Sequence, residues 1–386
     1  MFNRWVKLPY AQTLIVGPRR SGKTTLLKQN YSDFKYITLD DFDYLTWARK
    51  DPKGLIASLG DSFVIDEIQR VPELTISVKL AIDERGVRVL MTGSSSLGLL
   101  SSSADTLAGR IAIVHLPTAC WGESEGEPTH RIFEDELSPF QINEAQRSLD
   151  YFMEFGGFPE VVSQFSALDA ASVLRRYRDS YFTRDLAQLS NIENIEGLLA
   201  VLNHLARSVG SYLEVSNFAR EAALSFPTAK KYLNVLSQSD LSFKLYGYQY
   251  GPAKRLAKAA KIYFADNGMF RALNQEISPG QRLENFVISE LEKRRKLGFI
   301  KAENFFYYST TSGREIDLLF EEADTLNLIE IKTATKIGPK HIRNLLDYAA
   351  STKNRKLKMY IFYLGHDYLT LDSVRCLPAS SLYRGV

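Results

Sequence analysis

Gly17-Pro18-Arg19-Arg20-Ser21-Gly22-Lys23-Thr24 fits the spacing G-x-x-x-x-G-K-[ST] and is followed by Thr25. Those residue types at that spacing suit a phosphate cradle. Glycines let backbone N–H groups converge on phosphate oxygens, and a helix starting there adds the positive end of its dipole. Lys23 sets a compact charge against the β- and γ-phosphates, and the Thr24 hydroxyl is a ligand for Mg²⁺. A glycine turn carrying a surface lysine is the plain alternative. The short apolar strand before the loop and the helical run after it favour ATP with Mg²⁺ as the expected ligand.

A second group belongs with the loop. Phe63-Val64-Ile65-Asp66-Glu67 is an apolar strand ending in two carboxylates. Asp66 is expected to hold Mg²⁺ through water, and Glu67 to orient or deprotonate the attacking water. Alone, such a run is equally a strand meeting solvent. The strand Val87 to Met91 leads into Thr92-Gly93-Ser94, where Thr92 or Ser94 is placed to hydrogen-bond the γ-phosphate or the water. A serine-rich turn is the alternative. Arg110, just before the fifth strand, is either an arginine that stabilises charge in a neighbouring subunit's site or a helix-ending cation.

A third group lies near the other end: Glu284, then Asp317, then Glu330 with Lys332. Strand alternation brings Asp317 and Glu330 to adjacent ladder positions and sets Glu330 and Lys332 on one face. Converging carboxylates repel unless they meet cations or a divalent metal. Glu284, Asp317 and Glu330 are therefore candidate metal ligands, with Lys332 orienting or deprotonating a water for attack on a phosphodiester. An ordinary hairpin salt bridge between Glu330 and Lys332 is the alternative.

The elements that must position these residues are legible in part. Apolar runs at Thr13–Val16, Tyr36–Leu39, Phe63–Ile65, Val87–Met91 and Ile111–Leu116, separated by helix-length segments, predict a doubly wound parallel α/β sheet. A polar stretch, Gly122 to His130, ends it. Helical patterning from Ser148 to Leu189 is split by Gly156-Gly157-Phe158-Pro159. Between Leu198 and Phe264, helices with Ser216 as an N-cap and Pro227 at the second helix entry, then a hairpin, predict a winged helix-turn-helix. There Lys230, Lys231, Lys254, Arg255, Lys258 and Lys261 are candidate phosphate contacts, or solvated lysines of a connector. A helix from Arg282 to Lys296, strands 304–309, 315–320 and 326–331, a helix 340–349 and a strand 358–364 complete the chain.

Composition narrows the class. The 386 residues carry 48 Lys plus Arg against 45 Asp plus Glu, a formal charge of +3. With 45% apolar and 24% charged residues the chain is no disordered one, and so small a net charge gives no global attraction to nucleic acid, so such binding requires a local patch. Two cysteines form no disulfide framework, and no apolar run reaches the ~20 residues of a membrane span. With no secretory leader, a cytoplasmic location and no membrane partner are expected.

The chain resembles bacterial and archaeal AAA-type ATPases with a carboxy-terminal nuclease-fold domain. The likeness is carried by Gly17 to Thr25, Phe63 to Glu67, Met91 to Ser96, Leu107 to Arg110, Gly156 to Glu160 and Tyr181 to Leu186. Asp317 followed by Glu330-x-Lys332 looks like the PD-(D/E)xK signature, and Asn344 with Tyr348 resembles a Gln-x-x-x-Tyr element, Asn being a departure. The resemblance implies an AAA-type P-loop core (1–145), a helical lid (146–195), a winged helix (196–275) and a restriction-endonuclease-like α/β domain (276–386). It matches Asp66 and Glu67 to the Walker B pair, Thr92 and Ser94 to the sensor region and Arg110 to the arginine finger of a homo-oligomer. Arg175, Arg178 or Arg184 matches the lid arginine. The function implied is Mg²⁺-dependent ATP hydrolysis coupled to DNA binding and metal-dependent cleavage; the alternative is a nucleotide-controlled DNA- or partner-binding switch with an inactive nuclease fold.

Overall fold

A computed structural model describes residues 2–8, 12–93, 107, 109–129, 131–164, 166–186, 192–248, 259–310, 312–352 and 355–383, without the side chains of 182–185. The chain divides into two compact units. One comprises Arg4–Thr118 with Val235–Leu241; the other comprises Met1–Asn3, Ala119–Asn234 and Ser242–Val386.

The first unit holds a five-stranded sheet: β1 (Thr13–Val16), β2 (Lys35–Thr38), β3 (Ser62–Asp66), β4 (Arg88–Gly93) and β5 (Ala112–His115). Their spatial order is β2-β3-β4-β1-β5, and every pairing is parallel. Parallel strands need cover on both faces, and the side chains of β1 show why its run is apolar throughout. Leu14 and Val16 pack with Ile37, Phe63, Ile65 and Met91. Ile15 points the other way, among Leu26, Leu27, Val64, Leu90 and Leu116. Each such fully buried side chain contributes roughly 1.5–3 kcal/mol, which fixes the strand ends that carry the polar residues.

The second unit joins helices to a mixed eight-stranded sheet. The helix Pro139–Phe155 opens with a capping box between Ser138 and Gln141. After the Gly156-Gly157 turn come helices Pro159–Val162 and Ala167–Tyr177, then a π-helical turn Arg178–Leu186. Helices Ile195–Ser208, Val215–Glu221 and Phe226–Gln238 follow, the last crossing into Val235–Leu241 of the first unit. Then β6 (Ser242–Gly247) pairs antiparallel with β7 (Lys261–Phe264). Ser216 is not the N-cap, however: Glu214 takes that position, and Ser216 lies within the first turn.

β6 also pairs with β8 (Phe305–Ser309), so the hairpin is continuous with the strands that follow. The full order is β12-β13-β11-β10-β9-β8-β6-β7, with β9 Glu315–Glu322, β10 Thr325–Lys332, β11 Lys356–Tyr363, β12 Leu369–Leu371 and β13 Val374–Pro378. The helix Pro339–Ser351 crosses between parallel β10 and β11 and buries Ile342, Leu345 and Tyr348. The helix Pro279–Lys296 begins three residues before the expected Arg282, because Ser278 and Gln281 form a capping box ahead of it.

One expectation about polar residues is corrected here. Gly122 and Glu123, read as part of a polar connection, are buried in the short helix Trp121–Ser124, where the Glu123 carboxylate accepts from the Cys120 N–H at 3.0 Å. Beside it lies an ion network: Lys293 meets Asp266 at 3.1 Å and Glu290 at 3.0 Å, and Arg294 meets Glu290 at 2.6 Å. Asp266 also accepts from the Gly157 and Gly268 N–H groups at 2.9 Å, which holds the Gly156-Gly157 turn. Among the described residues, no helix is long and apolar enough to cross a membrane.

Candidate functional site

The loop after β1 is built for close approach. A Cβ on Gly17 would stand 2.1 Å from the Leu116 carbonyl oxygen, so no other residue fits there. Gly22 adopts φ 92° at the N-cap of α1 (Lys23–Asn30), and no side chain caps that end. The first N–H groups of α1 are thus left to a ligand, in the region where the helix dipole favours an anion. Ser21 Oγ is buried and finds no hydrogen-bond partner among the described residues. Arg20 takes a left-handed φ of 62°. Arg4 clamps the loop, donating to the Ser21 carbonyl at 2.5 Å and the Pro117 carbonyl at 2.9 Å.

Lys23 is 5 % exposed, and its ammonium donates to the carbonyls of Gly17 at 3.0 Å and Pro18 at 2.9 Å. Burial lowers its pKa to about 8, against the opposing pull of Glu67 and Asp66. Pro18 is buried, Arg19 half-buried and Thr25 exposed.

The end of β3 meets this loop. The Thr24 hydroxyl donates to Asp66 Oδ2 at 2.8 Å, and the Tyr36 hydroxyl, from β2, donates to the same oxygen at 2.6 Å. Thr92, from β4, donates to Asp66 Oδ1 and accepts from the Glu67 N–H at 3.1 Å. Thr92 is therefore spent on fixing the acidic pair, rather than facing the γ-phosphate as the sequence suggested. Ser94 lies outside the described residues. Glu67 has a left-handed φ of 60°, and its carboxylate accepts from the Gln69 side chain. The Arg110 guanidinium pairs with Asp83 at 2.7 Å.

The donor set suits magnesium. A threonine hydroxyl and a carboxylate oxygen in contact are hard oxygen ligands, and Mg²⁺ completes its shell with water and substrate phosphates. Thr24 and Asp66 are the residues that would hold it.

In the second unit the third group does assemble. The register of β9 and β10 sets Leu318 opposite Ile329, which carries Asp317 and Glu330 to the next positions along. Asp317 accepts from the Ile331 N–H at 2.7 Å. Glu330 is 1 % exposed; it pairs with Lys332 and accepts from the Asn344 side chain at 3.2 Å. Glu284 accepts from the Tyr263 hydroxyl at 2.7 Å. Burial, then the charge of Asp317, pushes both Glu284 and Glu330 up to about 7. Burial likewise raises Asp317, in spite of Lys332.

Two expectations change. Burial works to lower Lys332, but Asp317 and Glu330 outweigh it and hold the group above its ordinary value. That favours the ammonium form over the free amine that proton abstraction needs. Among the described residues, no three His, Cys, Asp or Glu side chains gather into a metal-holding group. Asp317 and Glu330 together still meet the requirement of Mg²⁺, which is commonly bound through one or two carboxylates plus waters and substrate phosphates. Glu284 is tied to Tyr263 beside them.

The winged-helix cations separate. Lys254, Arg255 and Lys258 lie outside the described residues, as does the Arg184 side chain. Lys230 and Lys231 are both exposed. Lys261 is buried and paired with Glu315, so it is no surface contact for a phosphate backbone. Of the other lid arginines, Arg175 is exposed and Arg178 pairs with Asp179 at 2.7 Å. Tyr36, Gln69, Tyr263 and Glu315 were not singled out from the sequence. Each reaches its partner across strands or a turn, a relation that local patterning does not encode.

Comparison with known proteins agrees with the first unit. Residues 10–125 match an AAA domain, which supports a P-loop ATPase and nucleotide binding in this part of the chain. Residues 146–279 and 279–382 match two domains of unknown function, DUF8612 and DUF4143. An uncharacterized protein of Mycobacterium tuberculosis is 26% identical over 384 residues, covering 96% of this chain and 80% of its own. One of Methanocaldococcus jannaschii is 28% identical over 327 residues, covering 81% and 72%. Among solved structures, the Walker-type ATPase PABY2304 of Pyrococcus abyssi aligns with a TM-score of 0.41 and 17% identity, covering 69% of this chain and 91% of its own.

Proposed function

We propose that the chain binds and hydrolyses Mg²⁺ATP in its first unit and that this hydrolysis is coupled to nucleic-acid binding, DNA foremost, by the rest of the chain. The observation that carries the reading is the contact of Thr24 with Asp66 beside a capless helix end and the buried Lys23. Thr24 and Asp66 would hold Mg²⁺ there, and the ion would neutralise phosphate charge. Residues 17–25 supply the cradle. Glu67, released from Gln69, orients the attacking water and takes its proton. Arg110, released from Asp83, reaches the site of a second copy.

The same reading assigns the acidic centre of Asp317, Glu330 and Glu284 to a divalent ion and the cleavage of a phosphodiester. There Lys332 acts as a cation that orients water or phosphate. The domain limits 1–145, 146–195, 196–275 and 276–386 belong to this proposal, and so does a cytoplasmic site of action.

A second reading makes the distal region a binding module whose affinity for DNA or a partner is switched by nucleotide. The Lys332–Glu330 pair and the lack of a three-acid group among the described residues favour it. One preparation separates the two: ATP turnover measured with and without DNA, alongside Mg²⁺- or Mn²⁺-dependent cleavage. Turnover with cleavage supports the first reading. DNA retention that follows nucleotide, with no cleavage under either metal, supports the second. Absence of ATP turnover overturns hydrolysis in both.

A further inference from the structure

Lys261 sits on β7, an edge strand, yet its partner Glu315 sits on β9. In the sheet, β6 and β8 lie between those strands. The ammonium meets that carboxylate with the ring of Tyr307, on β8, 5.6 Å away. Two residues further along, and so on the same face of β7, Tyr263 donates to Glu284. One face of the hairpin strand therefore sends two polar groups into the acidic centre carried by Glu284, Asp317 and Glu330. Lys261 is 5 % exposed and lies in the field of Glu284, Glu315 and Asp317 together.

The charge of this cluster is informative. Lys261 meets Glu315, which stands two residues from Asp317 on the same face of β9, and Lys332 meets Glu330. With Glu284 beside them, carboxylates outnumber ammonium groups there. A buried cluster carrying an excess of one sign is costly unless a counter-ion completes it. Each lysine lowers what a metal gains by entering.

We propose that Lys261 is the internal counter-cation of the acidic centre, so that strand β7 sets how tightly the centre holds a divalent ion. The inference rests on the metal reading of Asp317 and Glu330 given above. It adds a residue from outside the β9–β10 hairpin that carries the signature, and it makes metal affinity a property of the hairpin β6–β7. A shift of β7 that withdrew Lys261 would admit metal more readily, and one that pressed it inward would exclude metal.

The test is Mn²⁺ binding to the full chain without nucleotide, read from the signal of free Mn²⁺ in electron paramagnetic resonance. Wild type, Lys261→Met, Lys261→Arg and Asp317→Asn are compared, with folding checked by circular dichroism. The expected result is about tenfold tighter binding in Lys261→Met, which removes one nearby positive charge. Lys261→Arg keeps the wild-type affinity, and Asp317→Asn loses the site. The double change Lys261→Met with Glu315→Gln restores the formal charge and returns the affinity close to wild type. If Lys261→Met does not fold, Lys261→Gln, which keeps a donor toward Glu315, is read in its place. Binding lost in Asp317→Asn but unchanged or weaker in the Lys261 variants overturns the role of Lys261 and leaves the metal reading standing. Mn²⁺ binding that is absent, or indifferent to Asp317→Asn, overturns the metal reading and this inference with it.

Discussion

Tyr36 and Thr24 donate to the same carboxylate oxygen of Asp66, at 2.6 and 2.8 Å. Thr24 comes from the phosphate loop and Tyr36 from the neighbouring strand, which pairs with β3 so that Thr38 faces Asp66. The two donors, with Thr92 on the other oxygen, leave Asp66 almost no freedom to turn.

Tyr36→Phe removes one hydrogen bond to a charged acceptor and nothing else of size. Such a bond contributes about 1.5–3 kcal/mol. The expected outcome is a folded protein that needs roughly tenfold more Mg²⁺ for half-maximal ATP turnover, since about 1.4 kcal/mol is tenfold in an equilibrium constant. A magnesium titration of turnover checks it. An unchanged midpoint would mean that Tyr36 does not orient Asp66.

Arg110 is held by Asp83 at 2.7 Å in the structure, so action on a second copy requires that pair to open. Arg110→Ala is expected to lower turnover at least about tenfold at high protein concentration and to remove its rise with concentration. Asp83→Asn, which frees the arginine, is expected to keep both. Normal turnover by Arg110→Ala at every concentration would remove the arginine from the reaction.

The buried network of Lys293, Asp266, Glu290 and Arg294 makes a prediction about stability. Burial disfavours the ionised form of Glu290, but Lys293 and Arg294 outweigh it and lower its pKa. An acid lowered in the folded state adds stability above its unfolded pKa, and that stability is lost as the pH falls through the folded value. Glu290→Gln is expected to unfold about 3–5 kcal/mol more easily at neutral pH, because Lys293 and Arg294 lose their partner. It should also show a shallower loss of stability on acidification. Urea titrations at several pH values measure both, and a Gln variant as acid-sensitive as the parent would contradict the assignment.

Asp317→Asn removes one acidic ligand candidate while leaving an acceptor for the Ile331 N–H, 2.7 Å away in the parent. It is expected to abolish Mg²⁺- or Mn²⁺-dependent cleavage of DNA and to leave ATP turnover intact. Cleavage at the parent rate would place that chemistry elsewhere.

How much of this was legible depends on how local each relation is. The phosphate loop is consecutive, so Gly17, Gly22, Lys23 and Thr24 announce themselves by type and spacing. The five strands of the first unit were legible because parallel strands covered on both faces must be apolar throughout. Asp317 and Glu330 were brought together correctly because a hairpin register follows from alternation. Tyr36 with Asp66, and Lys261 with Glu315, were not legible. Tyr36 pairs across a parallel register set by a distant crossover, and Lys261 meets a residue of a strand that is not its ladder neighbour. Strands β12 and β13 escaped as well, being three and five residues long. The burial of Glu123, within a stretch read only as polar, was not legible because it depends on the Cys120 N–H that it caps.

The central claim is that residues 17–25 grip a nucleotide through backbone N–H groups and the Lys23 ammonium. Isothermal titration calorimetry of ATP with Mg²⁺ tests it most directly, on the parent and on Lys23→Ala. A single saturable site in the parent, weakened at least about a hundredfold in Lys23→Ala, is the predicted result. No heat of binding in the parent, or equal affinity in the two proteins, would contradict it.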